Sequence, residues 1–326
     1  MTTKSTLSEK RKTDLRGRTL LTTCHNLKKG ESVLIAFDKE GTFNARILSE
    51  SAERLGLVVV EFPITKDDEN ERPVRELSLL MRKSDVTIFC VNQRRIVTYG
   101  HSDARITAIK KGTRVGFLTQ DVIETPSATD LKKIHSRSKR LGELLEKTNH
   151  VTMITGKKHK RVLEFAIKDR KSFPLSSILV NRGDWGALPD YAEAAISPIE
   201  DSAEGEIEID GMIMGYGKLK SPLVLQFSRG QLTAFKGKEF SQELRRILES
   251  KDDALRVLCE LGLGANNLRR EIRGEFDDKK MLGSAHIAIG DNHTIGGNNK
   301  SNLHIDFLVT NPRIFFDGAP INLNAV

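Results

Sequence analysis

The segment Ser301–Val309, SNLHIDFLV, sets a histidine and an aspartate two residues apart in a run of alternating character. Alternation over this length predicts a strand, and residues two apart on a strand share a face. His304 and Asp306 therefore stand side by side, with Leu303, Ile305 and Phe307 on the opposite face. An imidazole beside a carboxylate has two readings. It is the wet face of an edge strand, or it is part of a metal site, which needs more oxygen and nitrogen donors brought to it.

Donors of that kind lie in the same half of the chain. His286, in GSAHIAIGDN, shares its predicted strand face with Ala288 and Gly290, which leaves room around the ring. Glu260, in LCELGLGANN, is expected to follow an apolar helix and to open a glycine-rich turn. A carboxylate in so apolar a setting is costly to bury without a compensating charge, and a metal ion is one such charge. Glu193, in DYAEAAISP, lies among small apolar residues. Taken singly, each glutamate reads as a surface or ion-paired residue. Two glutamates, two histidines and an aspartate in such settings point to a site. Oxygen and imidazole donors without thiolates suit zinc, manganese, cobalt or iron(II).

These residues need a scaffold. The first half alternates short apolar runs with helical patterns: ESVLIAF, FNARILSESAERLG, LVVVEFPI, VRELSLLMRKS, DVTIFCV, HSDARITAIKKG and TRVGFLT. That period predicts an α/β domain with an open, mainly parallel sheet. No G-x-G-x-x-G follows the first strand, so no dinucleotide site is expected. LKKIHSRSKRLGELLEKT reads as a charged amphipathic helix closing this half. From about Val151 the strands become short and are separated by Gly, Pro and Asp turns. One helix is expected from about Ser241 to Cys259, and LQFSRGQLTAF reads as a hairpin. The expectation is an α+β, mainly antiparallel domain over 151–326 carrying the site, after an α/β domain over 1–150.

Bulk properties exclude several classes. No apolar run approaches the ~20 residues of a membrane helix, and the mean hydropathy is −0.36. The N-terminus, MTTKSTLSEKRKTDLRGR, lacks the apolar core of a signal peptide, so a cytoplasmic protein is expected. Cys24, Cys90 and Cys259 are odd in number and set in apolar stretches, which suits reduced packing residues. The formal net charge is +8. Its one dense cluster, Lys157–Arg161, lacks interleaved aromatics for base stacking, so it reads as a solvated turn and no specific nucleic-acid partner is expected. A basic surface also draws small anionic substrates.

GLGANN, DDKKMLGSAHIAIGDNHTIGGNNKSNLHIDF and PRIFFDGAPI together resemble the C-terminal signature of the thermophilic aminopeptidase family, the metallopeptidases that include aminopeptidases T and S. ALPDYAEAAISPIEDSAEGEIEIDG resembles that family's first glutamate segment. The resemblance is strongest over residues 183–320. It implies five ligands for one or two divalent ions: Glu193, Glu260, His286, His304 and Asp306. In the two-ion form it implies a shared water that attacks a peptide carbonyl, with Glu260 as general base and Asp306 as the bridging ligand. It also implies a small peptide substrate and a homodimer.

The peptidases use a tyrosine shortly after the first histidine; here the segment is GDNHTIGG, with His293 but no tyrosine. The related 2,5-dihydroxypyridine 5,6-dioxygenases share the fold and hold one iron(II). Their pattern has a histidine at the position of Glu260 and none at His286. RIVTYGHSDARITAIKKGTRVGF resembles a segment of that branch whose histidine acts as a base on the substrate, here His101. His101 reads equally as a structural residue at a helix N-terminus. The resemblance thus implies a metallo-aminopeptidase, with an iron-dependent dioxygenase of small aromatic substrates as the alternative.

Overall fold

The computed structural model describes residues 2–69, 71–100, 102–156 and 160–326. The chain forms two compact units, Met1–His135 with Ser176–Tyr191, and Ser136–Leu175 with Ala192–Val326. The chain passes between them more than once, so no single cut near residue 150 separates them.

The first unit is an α/β layer. Its sheet takes the order Val58–Pro63, Ser32–Phe37, Val86–Cys90, Arg114–Leu118, Trp185–Leu188, and every pairing is parallel. The last strand explains the return of the chain: Trp185–Leu188 pairs residue for residue with Val115–Leu118. The central strands Val86–Cys90 and Arg114–Leu118 are buried throughout, as strands covered on both faces must be. Helices Thr42–Arg54, Arg75–Met81 and Asp103–Lys111 connect them, at the expected places. Gly112, at φ +96°, ends the third in the left-handed conformation that glycine adopts without strain. Phe89 stacks on Phe117 at 4.9 Å and meets Tyr99 edge-on at 5.4 Å, fixing the core on one face.

The second unit is built on two antiparallel sheets. One runs Gln231–Lys236, Leu223–Ser228, Glu204–Ile209, Arg161–Ala166, His150–Thr155, Arg313–Phe316, Ala319–Ile321. The predicted hairpin turns at Arg229 and Gly230, both at positive φ. Arg161 pairs with Glu206 at 2.6 Å, whereas Lys157, Lys158 and His159 of the basic cluster lie outside the described residues. The other sheet runs Gly217–Lys218, Met212–Ile213, His304–Val309, Ala285–Gly290, Leu258–Gly264, Ala192–Ile196, Ser172–Ser176. The fold class is as expected: α/β, then α+β with a mainly antiparallel sheet.

One local expectation fails. The helix ends at Glu249, a short 3-10 turn covers Asp253–Arg256, and Glu260 lies in a central strand, not at the mouth of a turn. Leu258–Gly264 is buried on both faces, so it lacks the alternation that marks a strand. Its glycines serve packing rather than turning. No described helix is long and apolar enough to cross a membrane. All three cysteines are free and buried.

Candidate metal centre

Four adjacent strands of the second sheet carry all five expected ligands. The register sets Gly264 opposite Glu193 and Gly262 opposite Ala195. It sets Glu260 opposite Ala288 and Gly262 opposite His286. It sets Ala288 opposite Asp306 and Gly290 opposite His304. Paired residues share a face, so donors and small residues occupy one face together. The other face carries Leu261, Leu263, Ile287, Ile289, Ile305 and Phe307, all buried. The apolar face fixes the register, and a slip of one residue would turn every donor into the core.

The small residues make the space. A Cβ on Gly262 would lie 2.0 Å from His286 Cε1 and 2.3 Å from its Nε2. The imidazole therefore lies over the backbone of the neighbouring strand. The room expected from Ala288 and Gly290 comes also from Gly262, one strand away.

The donor atoms converge. His286 Nε2 is 3.2 Å from Glu260 Oε1, 3.5 Å from Glu193 Oε2 and 4.0 Å from Asp306 Oδ1. His304 Nε2 is 3.1 Å from Glu260 Oε2 and 3.2 Å from Asp306 Oδ1. Two groups result, Glu193–Glu260–His286 and Glu260–His304–Asp306, each with its donor atoms within 4.8 Å of one another. Metal–donor bonds of about 2.0–2.1 Å place tetrahedral donors about 3.3–3.4 Å apart, so these spacings fit an ion. Glu260 belongs to both groups and turns one oxygen to each histidine.

The outer nitrogen of His304 strengthens the fit. Its Nδ1 lies 2.8 Å from the carbonyl oxygen of Asp291, to which an N–H there donates. A neutral ring then turns a bare Nε2 lone pair toward two carboxylates, an arrangement that needs a cation between them or a second proton. In the metal-free protein the proton serves. Burial works against the imidazolium, yet Cys259, Asp306 and Glu260 raise the His304 pKa well above the usual imidazole value. Burial likewise opposes the charges of Glu260 and Asp306, but the histidines hold the first carboxyl well below the ordinary range, and Lys279 with the histidines the second.

The Asp291 carbonyl is itself anchored. Asn292, fully buried, donates from Nδ2 to Ser197 Oγ at 2.8 Å and to Glu200 Oε1 at 3.0 Å. Its Oδ1 accepts from Asn299 N at 2.7 Å, closing the loop. His293 in the same loop is exposed and contributes nothing to the donor cluster. Glu193 is steadied by Ser138, whose Oγ donates to its carbonyl at 2.5 Å.

Two residues missed by sequence reading complete the cluster. Lys279 Nζ lies 2.5 Å from Asp306 Oδ2, and Lys280 Nζ pairs with Glu193 Oε1. Both lysines are buried, on a 3-10 turn, Phe276–Lys280, pinned to the end of the Glu260 strand by Asn266 N to Lys280 O at 2.8 Å and Leu282 N to Asn266 O at 2.8 Å. Burial lowers the Lys280 pKa to about 8 despite Glu193. Burial opposes Lys279 too, but Asp306, Glu193 and Glu260 outweigh it and raise its pKa. Because Lys279 holds Asp306 Oδ2, the aspartate has one inward oxygen, whereas Glu260 turns one oxygen toward each histidine. His101 lies outside the described residues.

No protein-family model and no curated protein sequence matches the chain. Solved structures do. The 2,5-dihydroxypyridine dioxygenase from Pseudomonas putida KT2440 superposes with a TM-score of 0.72 at 17% identity, covering 95% of this chain and 94% of that one. Wild-type AmpT from Thermus thermophilus superposes with a TM-score of 0.66 at 14% identity, covering 96% of this chain and 98% of that one. At such identities the likeness is one of fold. The chain has the fold of these two proteins, as the C-terminal signature implied.

Proposed function

We propose that the protein is a divalent-metal-dependent hydrolase, an aminopeptidase that removes N-terminal residues from small peptides. The observation that carries the reading is the buried Glu260 carboxylate, with oxygens 3.2 and 3.1 Å from the Nε2 atoms of His286 and His304. Glu193, Glu260, His286, His304 and Asp306 are the proposed ligands. A divalent ion held there would supply a water of lowered pKa and polarise a substrate carbonyl. Glu260 would be the carboxylate placed to accept a proton from water and return it to the leaving amine. The backbone carbonyl of Asp291 keeps His304 in its ligating orientation. A carboxylate-rich site also suits the cationic N-terminus of a peptide. Lys279 keeps Asp306 ionised, and Lys280 aims the Glu193 carboxylate it holds.

One observation favours a second reading. His286, His304 and Asp306 supply the two imidazoles and one carboxylate that suit non-haem iron(II), and a dioxygenase shares the fold. Glu260 favours hydrolysis, because an added carboxylate beside the ligands provides a base that oxygen chemistry does not need.

The test sets a panel of aminoacyl amides and short peptides beside a panel of dihydroxylated aromatic and pyridine compounds, with oxygen uptake recorded. Release of an amino acid with added zinc, manganese or cobalt, and without oxygen, is expected. No release from any peptide, with iron-dependent oxygen consumption on any ring compound, would replace the hydrolase by the oxygenase.

A further inference from the structure

One feature of the site goes beyond aiming its carboxylates: two ammonium groups stand inside a cluster of metal-ligand side chains. Lys279 Nζ is 2.5 Å from Asp306 Oδ2, and Lys280 Nζ is paired with Glu193 Oε1. Lysine is rarely buried unless paired, and here two consecutive lysines are buried against two of the three carboxylates of the site.

Charge balance gives these groups a meaning. Glu193, Glu260 and Asp306 bring three negative charges, Lys279 and Lys280 two positive ones, and neutral imidazoles none. The cluster is left with a single negative charge. One divalent ion takes it to a single positive charge, which one bound hydroxide cancels. A second divalent ion would leave an excess that burial makes costly.

Geometry agrees. A carboxylate that bridges two ions needs both oxygens, and Asp306 has Oδ2 on an ammonium group and only Oδ1 toward His304, at 3.2 Å. Glu193 likewise has Oε1 on Lys280 and Oε2 toward His286, at 3.5 Å. Of the three carboxylates only Glu260 keeps both oxygens for the imidazoles, one toward each histidine, and Asp306 Oδ1 lies 4.0 Å from His286 Nε2 and 3.2 Å from His304 Nε2.

We infer that the Lys279 ammonium stands in the place of a second metal ion, so that the site holds one divalent cation per chain. The inference rests on the metal-centre reading. Lys279 thus becomes a positioning residue that sets metal number, while the fully enclosed Lys280 orients Glu193.

Metal-free full-length protein is titrated with Mn²⁺ in equilibrium dialysis, and the bound ions are examined by electron paramagnetic resonance. Wild type should bind one ion per chain with the spectrum of an isolated Mn²⁺. Lys279→Met, which keeps the length and removes the charge, should rise from one ion to two and show a spin-coupled pair. Lys279→Gln serves if the methionine variant does not fold. Two ions in wild type overturn the role of Lys279 while leaving the metal centre in place. Folded Lys279 variants that stay at one ion overturn it as well. Failure of wild type to bind Mn²⁺, Zn²⁺, Co²⁺ or anaerobic Fe²⁺ removes the metal centre itself, and the inference with it.

Discussion

At the scale of single residues, the site is a balance of buried charges, and removing one member exposes another. Lys280 is fully enclosed against Glu193. Breaking a buried pair from one side costs about 3–5 kcal/mol, so Lys280→Met should destabilise metal-free protein by that order in urea unfolding. Added divalent metal should restore part of the loss, because the ion then compensates Glu193. A second prediction concerns pH. The His304 pKa is raised in the metal-free protein. Its imidazolium therefore contributes stability fully present below about pH 6.5, the ordinary imidazole value, and lost as pH rises through the raised value. Proton and metal compete for the same Nε2, so metal affinity should rise with pH across that window. The rise should approach about tenfold per pH unit, with one proton released per ion, as calorimetry in two buffers of different ionisation enthalpy would show. A flat profile would mean that His304 does not ligate. The histidines and carboxylates were legible because such donors stand out in apolar, glycine-rich settings. The lysines were not: in DDKKMLG they read as an exposed charge run, and no local pattern says that consecutive ammonium groups turn inward to carboxylates from two other strands.

At the scale of elements, the site is a property of register. The alternation in SNLHIDFLV and GSAHIAIGDN announces two strands, and both form at His304–Val309 and Ala285–Gly290. The Glu260 strand is hidden in sequence, because burial on both faces removes alternation and two glycines imitate a turn. Those glycines mark close approach instead. Gly262→Ala should therefore push the His286 ring from its place while leaving the strand paired. The expected result is at least a tenfold loss of metal affinity with near-native circular dichroism. Retained affinity would show that the ring has another place to sit. Asn292 acts at the same scale through the loop that carries the Asp291 carbonyl. The return of Trp185–Leu188 to the parallel sheet was also illegible, since its pairing is set by tertiary contacts and not by its short sequence.

At the scale of the whole molecule, fold does not select the chemistry. The same fold carries a dioxygenase at 17% identity and AmpT at 14%, and activity follows from the site. If the buried cluster is built for a cation, the ion must also stabilise the protein. At a free concentration a hundred times Kd, binding adds about 2.7 kcal/mol, seen as a rise of several degrees in the unfolding temperature. The most direct test of the central claim is the divalent-metal content of chelator-stripped protein after dialysis against Zn²⁺, Mn²⁺, Co²⁺ or anaerobic Fe²⁺, measured for wild type, His304→Ala and Asp306→Asn. Wild type is expected to retain metal, and both variants, still folded, to retain none. Metal retained at the wild-type level in either variant, or absent from wild type with every ion, would contradict it.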